Sequence, residues 1–113
     1  MFDGQPKIVT IYEQSDGSRP FEQWFDNLRD RRAQTRVDAR IARLAVGNPG
    51  DFKSLGEGLY ELRIDYGPGY RLYFAFSGRQ IVLLLCGGDK KTQPSDIATA
   101  RGYLGDYERR EMQ

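Results

Sequence analysis

The chain reads as an α+β domain, a small and mainly antiparallel sheet of about four strands with two helices before it and one after. Three patterns say so. Two segments on either side of the turn Asp65 to Gly69, each with one packed face and one face carrying charge, are the mark of paired strands, apolar stripes at helical spacing precede them, and a weaker amphipathic stripe follows. At 113 residues, 39% hydrophobic and 12% aromatic, the composition supports one core and therefore a single domain over 1–113.

Lys7 to Tyr12 is rich in β-branched residues and reads as a first strand, and Ser15 to Pro20 is dense in turn formers. Phe21 opens a helix whose stripe is Trp24, Phe25 and Leu28. After the charged patch Arg29 to Arg32 the stripe resumes at Val37, Ile41, Leu44 and Ala45, giving two helices or one bent helix ahead of Gly47 to Gly50. Phe52 to Leu59 reads as an irregular link. In the next strand Tyr60, Leu62 and Ile64 share one face, while Leu59, Glu61, Arg63 and Asp65 share the other. Its partner alternates Tyr70, Leu72, Phe74 and Phe76 with Arg71, Tyr73 and Ala75. The expected sheet has helices on one side and a partly open, charged surface on the other. Ile81 to Cys86 is apolar on both faces, as a central strand would be, and runs into a short cationic loop, Gly87 to Lys91. Thr92 to Asp96 supplies capping residues and an early proline for a last helix carrying Ile97, Ala100, Tyr103 or Leu104, and Tyr107. Gly102 and Gly105 weaken that helix, so an early end with Glu108 to Gln113 as a charged tail is allowed for.

Composition removes several chemistries. There is no histidine and one cysteine, which excludes histidine-based nucleases, cysteine–histidine proteases and ordinary structural zinc sites. Cys86 closes an apolar run and reads as a buried small hydrophobe. Gly87-Gly88-Asp89-Lys90-Lys91 has the ingredients of a phosphate loop without the order, and the carboxylates show no spacing that suggests a metal pair. Neither a cofactor nor a metal is expected. No apolar run approaches the ~18 residues of a membrane span, and Met1 to Pro6 lacks the pattern of a signal peptide. A cytoplasmic protein is expected.

A net charge of +1 predicts no strong global capture of nucleic acid. Local clusters are another matter. Arg63 and Arg71 stand on strands, Lys90 and Lys91 follow the central one, and guanidinium forks match phosphate oxygens. The chemistry these residues suit is metal-free RNA cleavage, in which a 2′-hydroxyl attacks the adjacent phosphate. Arg63 and Arg71 would clamp that phosphate, or else form plain salt bridges with Glu61 or Asp65; Lys90 or Lys91 would hold a flanking phosphate or protonate the leaving oxygen, or else sit in a solvated turn; Glu61, sharing a strand face with Arg63, would be the base. Lys53, Tyr73 and Tyr103 complete the RNA-binding candidates, with the tyrosines offering rings for base stacking or for core packing. Between Arg29 and Arg43 lie six arginines and two aspartates, which reads as a solvated helix face or as a contact for RNA or an acidic partner.

Tyr60-Glu61-Leu62-Arg63, Gly69-Tyr70-Arg71-Leu72-Tyr73-Phe74 and Gly87-Gly88-Asp89-Lys90-Lys91-Thr92-Gln93, with Asp96-Ile97 and Ala100, resemble the RelE/ParE toxin superfamily. The resemblance is to its HigB-like branch of phage-derived or addiction-module killer proteins, and it spans about Ile8 to Tyr107. It implies a RelE-like fold and the toxin of a type II toxin–antitoxin system. Such a toxin is held inactive by a cognate helix-turn-helix antitoxin and cleaves messenger RNA on the ribosome without a metal. On this resemblance Arg71 matches the arginine of the glycine-tyrosine-arginine strand implicated in transition-state stabilisation, Arg63 a basic position on the preceding strand, and Lys90 or Lys91 the basic residue after the central strand. Glu61 stands where RelE-type toxins carry a lysine, and the histidine of some HigB toxins is missing, which leaves the base and acid open. The ParE branch, which acts on DNA gyrase, and an inactive antitoxin-binding homologue are the alternatives.

Overall fold

A computed structural model of the chain describes residues 2–112. It is a small α+β domain built on a mixed five-stranded sheet. The elements run β1 (Ile8–Ile11), α1 (Pro20–Asp26), α2 (Arg31–Ala45), β2 (Phe52–Gly56), β3 (Leu59–Ile64), β4 (Tyr70–Ser77), β5 (Ile81–Asp89) and α3 (Gln93–Glu111). Strand order across the sheet is β1-β5-β4-β3-β2. β2 to β5 form an antiparallel meander, and β1 joins β5 in parallel after the chain has crossed one face as α1 and α2.

Local chemistry explains the helix boundaries. Pro20 opens α1 where its missing N–H is harmless. The Asp30 carboxylate accepts the backbone N–H groups of Arg32 and Ala33, capping α2 and separating it from α1. Two helices form, not one bent one.

The expected open face is corrected. Phe21, Val37 and Leu44 from the first two helices pack on Leu62, Ile64, Leu72, Phe74, Val82 and Leu84. On the opposite face α3 lays Ala100 and Leu104 over Leu59, Tyr73, Ala75, Leu83 and Leu85. Both faces are therefore covered, and the end of the sheet beyond the start of α3 keeps charged groups near solvent.

Three element boundaries also differ from the sequence reading. Phe52–Gly56 is an edge strand, making five strands; its exposed Phe52, Lys53 and Ser54 carry no burial pattern to reveal it. β5 continues through Gly87, Gly88 and Asp89, so the two glycines belong to the sheet. Finally, α3 runs through Glu108 to Glu111 despite its glycines. Its last turns are held by Tyr12 Oη donating to Asp106, by Arg110 donating to Asp106 at 2.7 Å and to the Glu13 carbonyl at 2.6 Å, and by Tyr107 Oη donating to Ser77 at 2.9 Å. Tertiary anchoring here outweighs a glycine penalty of about 1 kcal/mol per residue. No helix among the described residues is long and apolar enough to cross a membrane.

Candidate functional site

Register places the charged residues in two rows on the α3 side of the sheet. Glu61 pairs with Tyr73, and Tyr73 with Cys86; one step further along, Arg63 pairs with Arg71, and Arg71 with Gly88. Residues directly opposite one another in adjacent strands project to the same face. Arg63 and Arg71 are thus neighbours, an arrangement of like charges that needs an anion nearby.

Glu61 supplies it. Its side chain is fully buried, its Oε1 accepts from Arg63 Nε at 3.0 Å, and its Oε2 accepts from Tyr73 Oη at 3.1 Å and Gln93 Nε2 at 2.6 Å. Burial alone would push this carboxyl up, but the hydrogen bonds from Gln93, Arg63 and Tyr73 and the charge of Arg63 outweigh it and hold the group below its ordinary value. For Tyr73, burial first and then the Glu61 charge push the phenol well up, keeping it a donor. A four-residue network therefore fixes a carboxylate under the arginine pair and joins β3, β4 and the first turn of α3.

Arg71 is held differently. Its Nη1 donates weakly to the carbonyls of Gly69 at 3.2 Å and Tyr70 at 3.3 Å, and its side chain is 12% exposed. The Nε lies 4.0 Å from Glu61 Oε1, buried and without a hydrogen-bond partner. A buried donor left unpaired costs about 1–3 kcal/mol. Arg71 is thus poorly satisfied by the protein, and the exposed part of its weakly bonded guanidinium leaves capacity to bind an oxyanion.

Arg63, Arg71 and Lys90 meet at a surface cavity of about 440 Å³, walled by Asp51, Asp65 and the turn 67–69. Its position depends on two glycines. A Cβ at Gly87 would overlap the Trp24 ring from α1, and a Cβ at Gly88 would overlap the Asp96 carboxylate from α3. With no side chains there, α1 and α3 close on opposite faces of β5 beside the arginine row. Below it, Arg40 of α2 donates to the carbonyls of Arg63, Pro49 and Asp51, fixing the strand that bears Arg63 to the loop entering β2.

Of the residues expected from the sequence, Arg63, Arg71 and Lys90 come together. Lys91 sits in the adjoining turn, exposed, with its backbone N–H on Asp89. Lys53 is exposed on the edge strand opposite Glu61, outside the cavity. Three expectations need correction. Glu61 has no exposed surface and cannot reach a 2′-hydroxyl as a base, so it orients Arg63 instead. Tyr73 is 0% exposed and its ring offers no face to a base. Tyr103 packs against Tyr12 with ring centres 5.1 Å apart and borders a separate depression beside Asp106, away from the arginines.

Gln93, Asp96, Asp51 and Arg40 were missed as site residues. Adjacent glycines at the end of an apolar strand can signal close approach by another element, but only the structure shows that the approaching groups are Trp24 and Asp96. Nothing in the sequence distinguishes Arg40 from its five neighbours in the arginine run. Cys86 agrees with its expected role: burial, then the Asp96 charge, push the thiol up to about 12.

The family model for phage-derived protein Gp49-like matches residues 23–102. The chain belongs to this Gp49-like family. An uncharacterized protein of Haemophilus influenzae is 49% identical over 81 residues, which cover 72% of this chain and 82% of that relative. In this Gp49-like protein the matched span includes Glu61, the arginine pair, both glycines and the first turns of α3. β1 lies outside it.

Proposed function

We propose that this Gp49-like protein is the toxin of a type II toxin–antitoxin pair, with a RelE-like fold and of the HigB-like branch, and that it cleaves messenger RNA on the ribosome without a metal. The observation that carries the reading is the Arg63–Arg71 pair, anchored by a buried carboxylate and sharing one cavity with Lys90. A phosphodiester suits this site because both guanidiniums can donate to non-bridging oxygens. The guanidinium of Arg71, a residue that lines the cavity and is only weakly satisfied by the protein, gains most when the phosphorane's extra negative charge develops, which is preferential binding of the transition state. The sequence resemblance to the RelE/ParE superfamily supports the same class.

In the proposed step the 2′-oxygen attacks phosphorus, the P–O5′ bond breaks, and the products are a 2′,3′-cyclic phosphate and a 5′-hydroxyl. The 2′-hydroxyl proton leaves to water or to a ribosomal group, since buried Glu61 cannot take it. Lys90 hands a proton to the departing 5′-oxygen, and Lys91 meets a flanking phosphate. The ribosome supplies much of the remaining RNA-binding surface, which accords with a net charge of only +1. The partners are accordingly the ribosome, messenger RNA and a helix-turn-helix antitoxin, all in the cytoplasm.

Expression of wild type and Arg71→Ala in bacteria, with primer extension on a defined message, tests this proposal. Ribosome-dependent, codon-positioned cuts made by wild type and absent with Arg71→Ala are expected. Intact messages with stalled gyrase complexes would replace the proposal with the ParE-like activity, and normal growth with neither effect would leave an inactive antitoxin-binding protein.

A further inference from the structure

Six arginines lie between Arg29 and Arg43, and the fold assigns them unequal roles. Arg40 is consumed by three backbone carbonyls. Arg31, Arg32 and Arg36, in contrast, are exposed at the start of α2 and, among the described residues, make no ion pair within 4.0 Å. Together with Thr35 they border a surface depression of about 380 Å³.

Within the cluster Arg36 has a defined footing. The Arg36 guanidinium lies 4.5 Å from the centre of the Tyr66 ring, and Tyr66 Oη donates at 2.7 Å to Asp30, the residue that caps α2. Asp30 is one carboxylate against three guanidiniums, and it is already engaged by Tyr66 and two backbone N–H groups. A net cationic surface remains.

Tyr66 begins the turn between β3 and β4, and the next three residues of that turn wall the cavity holding Arg63, Arg71 and Lys90. One turn therefore separates the two cationic sites, with the arginine pair on one side and the α2 cluster on the other. We infer that Arg31, Arg32 and Arg36 form a second anion seat, taking the phosphate backbone of the same RNA strand a few nucleotides away from the scissile bond. This rests on the proposed RNA substrate of the arginine pair. The α2 seat supplies affinity and sets the direction of the strand, leaving Arg71 to act on the bond that breaks.

The test uses 2′-O-methyl RNA, which cannot be cleaved, at two lengths: about 4 nucleotides, enough for the clamp alone, and about 15, enough to cross the turn. Binding is measured against salt for wild type, for the triple variant Arg31→Gln/Arg32→Gln/Arg36→Gln, for a charge-matched control at Arg43, Arg79 and Arg109, and for Arg71→Ala. Circular dichroism confirms that each folds. Each phosphate contact on a single strand contributes a slope of about 0.7 in log affinity against log salt. The triple variant should lose a slope of about 2 on the long RNA and nothing on the short one, while the control loses little on either.

Equal slopes for wild type and triple variant would overturn the inference, and a parallel loss with Arg71→Ala would show the clamp intact. A control that falls as far as the triple variant would reduce the effect to net charge and overturn it too. Retained RNA binding with lost binding to polyglutamate would assign the cluster to an acidic protein. If wild type binds neither RNA, the inference falls, while the RNA substrate of the arginine pair is still decided by the ribosome-dependent cleavage assay.

Discussion

The two faces of the sheet solve different problems. Under α1 and α2 the core is apolar, from Phe21, Val37 and Leu44 to Leu62, Leu72, Phe74 and Leu84, with polar contacts such as those of Arg40 confined to its margin. Under α3 a similar apolar set at one end gives way to Glu61, Tyr73 and Gln93 at the other. Apolar packing is non-directional and holds strands together without aiming any group. The buried carboxylate aims Arg63 at 3.0 Å, and four hydrogen-bonding groups with one good arrangement specify orientation where shape alone would not. One face mainly provides stability; the other converts part of it into a fixed anion site.

Phe74→Ala tests the first half of that contrast and carries the largest expected loss of stability. Its ring is fully buried among Phe2, Tyr60 and Phe76, so urea unfolding should show a loss of about 3–5 kcal/mol. Phosphate-dependent binding by the fraction that stays folded should remain that of wild type.

Glu61→Gln addresses the second half. Removing the charge while keeping the shape should cost about 1–3 kcal/mol and should reduce RNA cleavage more than its stability loss explains. The sign of its pH dependence follows from the depressed carboxyl of Glu61. Its contribution is complete above the unfolded glutamate pKa of about 4.3 and is lost as pH falls through the lower folded value. Denaturation curves of wild type and Glu61→Gln should therefore converge in acid; a gap that widens below pH ~4 would contradict the network.

Gly88→Ala probes where α3 meets the sheet. Its Cβ forces the Asp96 carboxylate aside, for a cost of about 1–3 kcal/mol, and much of that cost should vanish in an Asp96→Ala background. A thermal-melt double-mutant cycle with no coupling would place the strain elsewhere. The smallest effect belongs to Tyr73→Phe, which keeps the packing and removes one hydrogen bond to Glu61, worth about 1 kcal/mol by chemical denaturation.

How far the sequence reveals this arrangement depends on periodicity. Alternation in β3 and β4 identifies both strands and correctly puts Arg63 and Arg71 on one face, because residues flanking them in sequence, Leu62 and Ile64 in β3 and Leu72 in β4, are apolar and buried on the other. β2 escapes detection because an exposed edge strand has no buried face to impose a pattern. Glu61 illustrates a deeper limit. Alternation assigns its face, but whether that face meets water or α3 is a tertiary fact, and a glutamate reads as surface until three donors are seen around it. The end of α3 is similar: local propensity argues for an early stop, and Asp106, Tyr107 and Arg110 find partners nearly a hundred residues, thirty residues and again nearly a hundred residues away.

The most direct test of the arginine clamp is single-turnover cleavage of a ribosome-bound message by wild type, Arg71→Lys and Arg71→Ala at equal folded concentration. Arg71→Lys keeps a positive charge and loses the planar guanidinium fork, so a clamp that works through guanidinium geometry should lose about a hundredfold or more in rate with either substitution. Wild-type rates in both variants would contradict it and place the chemistry outside the Arg63–Arg71 pair.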